Sequence, residues 1–428
     1  MIVTKRGLVF SATAVVLSTV AVTGASVHLS SLALLRESPK ELIDEVWQII
    51  DRRYVDGTFN QIDWRSVRFE YLERSYSQPE EAYDAIREMV EQLGDPYTRF
   101  MDPEEFENMR IDTSGELTGV GIQISKDEET NQLIVIAPIE DTPAMKAGII
   151  AQDIISHIDC KSTEGMEVNE AVQLIRGKPG TEVILTIQRN SQEIDFPITR
   201  ARITLHPVKT RTEISSIGEI GYIRLTQFSS QASEEMREAI KDFEQEGVSG
   251  YILDLRSNPG GLLYASIEIA SMWLEEGTIV STVNRLGMPD LQEANRRALT
   301  DKPLVVLVDG GSASASEILS GALQDNKRAV LVGTRTFGKG LVQSVQPLRG
   351  GSGLAVTIAK YLTPSGRDIH KEGIAPDIVY ELTEDDRTEL QRDRTQIGTI
   401  KDPQFAKALE VLRSEIRASR ATASQAAN

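Results

Sequence analysis

The residues with the clearest chemical potential are a serine and a lysine that lie 25 positions apart, Ser314 and Lys339. A serine hydroxyl is a weak nucleophile at neutral pH and needs an adjacent base to take its proton when it attacks a carbonyl carbon. A lysine can be that base if burial in an apolar pocket keeps its amine neutral. Gln343 follows Lys339 by four residues, so its side chain can hydrogen-bond the amine and fix its position.

These residues follow apolar segments that predict the strands of a parallel sheet. The segments GYILDLRSNPGG (250–261) and PLVVLVDGGSAS (303–314) each precede a helical pattern, and RAVLVGTRTFGKG contains Lys339. Continuous Val, Leu and Ile runs separated by helices are typical of parallel strands that are buried on both faces. Because the carboxyl ends of parallel neighbours meet at one edge of the sheet, we expect Ser314 and Lys339 to face each other there.

An oxyanion formed at that edge needs backbone donors. The candidates are the amide of Ala315, at a predicted helix N-terminus, and that of Gly260 or Gly261. Each residue also has a purely structural explanation, because Ser314 and Glu317 fit a capping box and the two glycines fit a turn. The residues alone therefore leave catalytic and structural roles open.

Two other chemistries are alternatives. GTRTFGKG (333–340) differs from a phosphate-binding loop at Gly340, where Ser or Thr would hold magnesium, and Asp254 ends a strand as a magnesium ligand would. However, the next segment alternates like a strand, whereas a phosphate loop opens a helix. A catalytic triad would have to use His370, but GGSAS lacks the Gly-x-Ser-x-Gly turn around its serine.

Composition narrows the classes of partner and cofactor. The 428 residues include 64 acidic and 46 basic side chains, and the net charge of −18 argues against nucleic acid as a partner. The single cysteine, Cys160, excludes an intramolecular disulfide framework, and no Cys/His cluster resembles a zinc site. We expect no metal and no cofactor.

The N-terminus predicts export. Lys5 and Arg6 precede an uncharged apolar stretch at about 8–25, which is typical of a signal peptide. Small residues near Thr23 and Ala25 can form a cleavage site, but the stretch is also long enough to stay as a membrane anchor. Cleavage and anchoring are both open, and so is association with a membrane.

The pattern along the chain predicts five segments. Residues 1–37 are the signal peptide or anchor, and 38–112 form a helical region in which apolar residues recur at helical spacing. Short β-like runs punctuated by Gly, Pro, Asp and Asn predict a compact β-rich domain at 113–200. The parallel-strand core covers 201–382, and 383–428 is a C-terminal helix with a polar tail.

Six motifs together make the sequence resemble the carboxyl-terminal processing peptidases, also called tail-specific proteases, over about residues 38–382. The overall pattern is most similar to their cyanobacterial and plastid branch. The motifs are LGDPYTRFMDPEEF (93–106), GELTGVGIQI (115–124), LDLRSNPGGLL (253–263), VDGGSASASEILSGALQD (308–325), GTRTFGKGLVQ (333–343) and TPSGRDIHKEGIAPD (363–377).

The resemblance implies a catalytic role for three residues. In the family the middle serine of SASASE and the lysine of FGKG form a dyad, which implies Ser314 and Lys339, with Gln343 as the partner of the lysine. Asp325 matches an acidic family position of less certain role. Leu341 departs from the family, where this position is often small or β-branched, but it leaves the spacing of Lys339 and Gln343 intact.

The resemblance also implies the architecture and the substrate. It implies an α+β multidomain protein in which a PDZ-like domain is inserted before an α/β peptidase core of crotonase-like ββα-spiral fold. PDZ domains bind an extended C-terminal peptide and capture its carboxylate in a glycine-rich loop, here Gly119, Val120, Gly121 and Ile122. The implied enzyme is an exported serine endopeptidase of the periplasm or thylakoid lumen, which cleaves C-terminal tails of proteins through an acyl-enzyme. A catalytically inactive PDZ-containing binding protein is the alternative.

Overall fold

The computed structural model describes residues 38–127, 130–139 and 141–426. The predicted signal peptide or anchor at 1–37 lies outside these residues. Among the described residues, we find no helix with the length and apolar character needed to cross a membrane.

The N-terminal region is helical, as predicted, and carries one short strand. Its elements are α1 (Pro39–Arg53), α2 (Trp64–Glu73), α3 (Pro79–Glu91), β1 (Arg99–Met101) and α4 (Pro103–Ser114). The indoles of Trp47 and Trp64 stack at a centroid distance of 6.4 Å in the core shared by these helices. Asp102 caps α4 in a reciprocal capping box with Glu105, so the chain leaves β1 in a fixed direction.

The middle region is a β-rich module with its own apolar core. Its elements are β2 (Glu116–Gly119), β3 (Ile122–Lys126), β4 (Leu133–Pro138), α5 (Pro143–Ala147), β5 (Ile154–Ile158), β6 (Lys161–Ser162), α6 (Val168–Ile175), β7 (Glu182–Arg189), β8 (Gln192–Thr199) and β9 (Ala201–Thr204). Its sheet has the order β3-β4-β5-β7-β8, so β3 lies at one edge. Strands β2 and β9 pair antiparallel where the chain enters and leaves the module.

The third region is built on two sheets, followed by two C-terminal helices. Its elements are β10 (Val208–Ser215), β11 (Gly218–Leu225), α7 (Ala232–Glu246), β12 (Tyr251–Asp254), α8 (Leu263–Trp273), β13 (Thr278–Asn284), β14 (Pro289–Glu293), β15 (Leu304–Val308), α9 (Ala315–Asp325), β16 (Val330–Gly333), β17 (Leu341–Pro347), β18 (Gly353–Leu362), β19 (Ile378–Val379), α10 (Glu384–Arg392) and α11 (Pro403–Ala426).

The first sheet has the order β10-β11-β12-β15-β16-β19. Within this sheet, β11, β12, β15, β16 and β19 run parallel to one another, and β10 pairs antiparallel with β11. Residues of α7, α8 and α9 contribute to the apolar core on one face, and residues of α11 contribute to the core on the other. The predicted parallel strands β12, β15 and β16, buried on both faces, are thus confirmed.

The second sheet joins the N-terminal region to the third region. The long strand β18 pairs with β17 on one side, and with β1 and β13 on the other. Because β1 belongs to the N-terminal region, residues near 97–101 are brought beside the loops of the parallel sheet.

Candidate active site

A cavity of about 370 Å³ lies between the carboxyl ends of the parallel strands and the β17–β18 sheet. Its lining includes the three predicted catalytic residues, Ser314, Lys339 and Gln343, and the three predicted sources of oxyanion amides, Gly260, Gly261 and Ala315. The parallel order of β12, β15 and β16 explains this, because the loops after these strands open on the same side.

Ser314 lies in the loop after β15, immediately before α9. Its φ of 54° and ψ of −111° place it in a conformation that non-glycine residues rarely adopt. The backbone N–H of Ser314 donates to the Glu317 carboxylate at 2.9 Å, and the Tyr361 hydroxyl donates to its carbonyl oxygen at 3.2 Å. Strained backbone of this kind is concentrated at functional sites, where the surroundings hold it in place.

Lys339 lies in the loop between β16 and β17, and its amine is held by an uncharged partner. Its Nζ donates to Gln343 Oε1 at 2.8 Å. The Nε2 of Gln343 in turn donates to the carbonyl oxygen of Tyr97, which belongs to the segment before β1. The Tyr97 ring also covers the amine, with its centroid 5.2 Å from Nζ. The Lys339 amine is therefore held by residues from two distant regions of the chain.

The electrostatic surroundings favour the neutral form of this amine. Burial lowers the pKa of Lys339, and the positive charge of Arg99 lowers it further. The carboxylates of Asp95 and Glu317 act in the opposite direction but do not reverse the shift. An amine with a lowered pKa carries a lone pair at a lower pH than an ordinary lysine does, as a general base must.

The two reactive groups line the same cavity but are not hydrogen-bonded to each other. Among the described residues, the only hydrogen bond of the Lys339 amine is the one to Gln343. Direct proton transfer requires a separation of about 2.6–3.2 Å, or one bridging water.

The glycine loop after β12 packs directly against the serine. A Cβ on Gly260 would lie 2.7 Å from the carbonyl oxygen of Ala313 and 2.9 Å from the amide nitrogen of Ala315. The amide of Gly260 donates to Asn258 Oδ1 at 2.9 Å, so it must share or release this acceptor to stabilise an oxyanion. The amides of Gly261 and Ala315 have no acceptor among the described residues.

Glu317 connects the two halves of the site, and the sequence indicated only part of its role. Its side chain is fully buried. One carboxylate oxygen accepts from the amides of Ser314 and Lys339 at 2.9 and 2.8 Å, and the other accepts from the Thr336 hydroxyl and the Gly338 amide at 2.6 and 2.7 Å. The Ser-x-x-Glu pattern predicted the first bond, but no local pattern indicates the three to the lysine loop.

Asp325 does not lie with these residues. It ends α9, whose 11 residues place it roughly 16 Å from the serine end of the helix. Its carboxylate accepts from the amide and hydroxyl of Ser365 and pairs with Arg367. The structure therefore gives this residue a role in holding the loop after β18.

His370 lies near the site without lining the cavity. Its ring contacts Tyr97 edge-on at a centroid distance of 6.0 Å, and its buried Nδ1 has no hydrogen-bond partner in the part of the chain that the structure describes. Burial lowers the pKa of this imidazole. The arrangement lacks the carboxylate–histidine–serine contacts that a catalytic triad requires.

The phosphate-loop hypothesis does not fit the fold. The residues after Gly340 form strand β17, so the loop does not open a helix of its own, as a phosphate-binding loop does. Asp254 is fully buried and pairs with Arg256 at 2.7 Å, so its carboxylate is occupied. Neither feature needed to bind a nucleotide and magnesium is available.

The predicted peptide-binding loop lies beside a free strand edge. Gly121 has a φ of 83°, and a Cβ there would come within 2.4 Å of Thr142. The amides of Val120 and Gly121 donate to no acceptor among the described residues. Within the described part of the chain β3 pairs with β4 alone, so its other edge can accept an added strand.

Comparison with known proteins agrees with this geometry. The profile of peptidase family S41 matches residues 219–380, and that of the PDZ domain matches 134–189. The carboxyl-terminal-processing protease of Synechocystis sp. is 48% identical over 365 residues, which cover 84% of this chain and 85% of that protein. The chloroplastic carboxyl-terminal-processing peptidase 2 of Arabidopsis thaliana is 43% identical over 345 residues, covering 78% of this chain and 67% of that one.

A solved structure supports the same assignment. The photosystem II D1 C-terminal processing protease superposes with a TM-score of 0.55 at 37% identity, covering 80% of this chain and 93% of that chain. The predicted combination of an S41 peptidase core, a PDZ domain and a helical N-terminal region is confirmed. The chain belongs to peptidase family S41 and is a serine-type carboxyl-terminal-processing protease.

Proposed function

We propose that this protease cleaves the C-terminal tails of exported proteins with Ser314 as nucleophile, Lys339 as general base and Gln343 as the residue that orients the base. The observation that carries the proposal is the state of the Lys339 amine. It lies in the same cavity as the serine, it is hydrogen-bonded at 2.8 Å to an uncharged amide, and burial lowers its pKa. A structural lysine would more often pair with a carboxylate.

In the first half-reaction, the Lys339 amine takes the proton of the Ser314 hydroxyl as its oxygen attacks the carbonyl carbon of the scissile bond. The negative charge that develops on the carbonyl oxygen is stabilised by the free amides of Ala315 and Gly261, and by that of Gly260 if it leaves Asn258. When the C–N bond breaks, the lysine ammonium gives its proton to the leaving amine, and the substrate remains as an ester on the serine.

In the second half-reaction, water replaces the departed amine in the cavity. The neutral Lys339 takes a proton from this water as its oxygen attacks the ester carbon. The ammonium then returns the proton to the Ser314 oxygen as the ester bond breaks. Neither half-reaction needs a metal or a cofactor, since protons move only between the lysine, the serine, water and the substrate.

We further propose that the PDZ domain captures the tail of the substrate. A peptide strand added to the free edge of β3 would direct its terminal carboxylate at the loop of Gly119, Val120, Gly121 and Ile122. The free amides of Val120 and Gly121 are suitable donors to that carboxylate. Tail capture and cleavage would then take place in separate parts of the chain.

The proposed location is the periplasm or the thylakoid lumen. Two of the similar proteins are cyanobacterial or named chloroplastic, and the N-terminal sequence has the basic-then-apolar order of an export signal. The first 37 residues would direct export and are either removed or kept as an anchor. Edman sequencing of the mature N-terminus distinguishes the two.

The proposal is tested with an unstructured protein that has an apolar C-terminal tail. Parent, Ser314→Ala and Lys339→Ala are incubated with it, and the products are identified by mass spectrometry. Binding of a fluorescent tail peptide is measured on the same preparations. We expect both variants to lose cleavage and to keep tail binding, because β3 and its loop are distant in sequence from the dyad. Lys241→Ala, at an exposed lysine of α7, is the matched control.

Three outcomes would contradict the proposal. If the lysine variant kept full activity, another group would have to be the base. If both variants lost tail binding in proportion to cleavage, binding and chemistry would not be separate. If parent enzyme bound tails but cleaved none, the inactive binding protein would be the better assignment. A parallel His370→Ala variant should keep its activity, and a specific loss of activity with intact folding would point to a histidine base.

A further inference from the structure

Arg99 is a cation on the wall of the active-site cavity that has no ionic partner. It begins strand β1, and its side chain is exposed to solvent. Within the described ranges, no side-chain hydrogen bond or ion pair involves its guanidinium, although most of the other arginines make at least one. An exposed guanidinium that is held beside a reaction centre without an anion is available to a ligand.

The register of the second sheet fixes where this cation lies. Arg99 is opposite Ala355 in β18, and Ala355 is opposite Val345 in β17, so the three residues form one row across the strands. All three line the cavity. Two strand spacings separate the outer members by roughly 10 Å, and Gln343 precedes Val345 by two residues, or roughly 7 Å along β17. A long arginine side chain in this row would therefore lie within reach of a substrate bound in the cavity.

The rest of the lining defines the kind of group that would bind there. Of the residues that the structure describes, no Asp or Glu lines the cavity, and Arg99 and Lys339 are its only charged side chains. Most of the other side chains are apolar, among them Met101, Met109 and Leu262. In such surroundings an acidic group of the substrate finds one strong partner, since the planar guanidinium fork binds carboxylates through two parallel hydrogen bonds.

We propose that Arg99 is a specificity residue that binds an acidic side chain of the substrate within a few residues of the scissile bond. This rests on the proposed function, in which the cavity is the site of cleavage. The terminal carboxylate of the substrate is the other group that could pair with the Arg99 guanidinium. We assign that group to the PDZ domain, so the carboxylate at Arg99 comes from a side chain.

The test uses a series of peptides that share one cleavable sequence. Each has Asp at one of the four positions on either side of the scissile bond, and its matched partner has Asn there. For every pair, kcat/KM for Asp divided by kcat/KM for Asn is measured in the parent, Arg99→Gln, Arg99→Lys and Arg99→Glu. Because the ratio is taken within one variant, it does not depend on the folded fraction. Arg65→Gln, at an exposed arginine of α2, is the control.

In the parent we expect Asp to be preferred at one position by roughly 10- to 100-fold, the range for a hydrogen bond to a charged group. The preference should disappear in Arg99→Gln, persist in weakened form in Arg99→Lys, and reverse in favour of Asn in Arg99→Glu, because a carboxylate at position 99 repels Asp. The Arg65 control should match the parent.

The proposal is overturned if no position distinguishes Asp from Asn in the parent, or if the preference survives in Arg99→Gln. The proposal is also overturned if Arg99 instead binds the C-terminal carboxylate of the substrate. In that case amidation of a short tail would reduce kcat/KM in the parent and not in Arg99→Gln. Failure of the proposed function looks different, because then none of the peptides, including those with Asn, would be cleaved by the parent.

Discussion

Replacing Glu317 with Gln tests whether one buried carboxylate holds the serine loop and the lysine loop together. The carboxylate accepts four hydrogen bonds, from the amides of Ser314, Lys339 and Gly338 and from the Thr336 hydroxyl. Gln has nearly the same shape, but it offers one oxygen and one NH₂ group. The best orientation keeps the oxygen toward Ser314 and Lys339 and turns the NH₂ toward Thr336, whose hydroxyl can accept.

The expected loss in the free energy of unfolding follows from this orientation of the Gln side chain. The amide of Gly338 then faces another donor, and an unsatisfied buried N–H costs about 1–3 kcal/mol. The other three hydrogen bonds lose charge assistance, which costs roughly 1 kcal/mol each. The expected loss in the free energy of unfolding is therefore about 4–6 kcal/mol, a large fraction of the usual total of about 5–15 kcal/mol. Cleavage should fall with it, because the loops that carry both reactive groups are released.

The assay is urea unfolding monitored by circular dichroism, together with the pH dependence of kcat/KM. Glu317 raises the pKa of Lys339, so loss of its charge should move the acid limb of the profile to lower pH. The matched control is Glu268→Gln on α8, where a half-exposed pair with Arg237 predicts a loss of at most about 1 kcal/mol. A Glu317→Gln enzyme that is as stable and as active as this control would refute the role of the carboxylate.

Three further predictions concern stability and binding. Lys339→Met should raise stability near neutral pH by removing a buried amine. The pKa of Lys339 is lower in the folded chain than in the unfolded chain, so protonation of its amine favours unfolding. The gain in stability from Lys339→Met should therefore shrink as pH rises toward the ordinary lysine pKa of about 10.4, where the amine is neutral in both states. Asp402→Asn should cost about 3–5 kcal/mol, since Arg256, which pairs with Asp402 at 2.7 Å, would be left with one fewer carboxylate in the core. Gly121→Ala should abolish tail binding, because the new Cβ would come within 2.4 Å of Thr142.

Each of these has a control on the same chain. Lys241→Met removes an exposed amine and should leave stability unchanged at every pH. Glu410→Gln breaks an exposed pair with Lys407 and should cost less than about 1 kcal/mol. Gly180→Ala has the same backbone strain as Gly121→Ala, with φ of 85°, but no atom within 4 Å of the new Cβ. If Gly180→Ala weakened tail binding as strongly, strain in the module would be the cause and the loop would not be identified.

The sequence predicts the peptidase core well because its signals are local. Apolar runs ending in small-residue loops predicted β12, β15 and β16 as parallel strands, and parallel order by itself brings the loops of Gly260, Ser314 and Lys339 to one edge. The strand period also suggested the contact between Lys339 and Gln343, and the hydrogen bond is present although Lys339 lies in the loop just before β17. These inferences need only the period of a strand and the direction of its neighbours.

The contribution of the N-terminal region could not be predicted from local patterns. Tyr97 accepts from Gln343 across 246 positions of sequence, and Arg99 reaches the cavity only because β1 pairs with β18. A three-residue strand has too few residues to show a period, and nothing in PYTRF indicates which sheet it joins. The Ser-x-x-Glu pattern predicted Glu317 as part of a helix cap, but its hydrogen bonds to Thr336 and Gly338 depend on the fold of a loop with no regular sequence pattern.

The N-terminal region therefore contributes to the proposed catalytic site through its contacts with Lys339. Three influences from this region act on the amine of Lys339. The carbonyl of Tyr97 holds Gln343, the ring of Tyr97 shields the amine, and the charge of Arg99 lowers its pKa. If β1 separated from β18, the Lys339 amine would lose its orientation, gain water and lose a neighbouring cation at once. Each of the last two changes favours the ammonium form, so the core without this strand would keep Ser314 and Lys339 and still lack the neutral amine that the proposed mechanism requires.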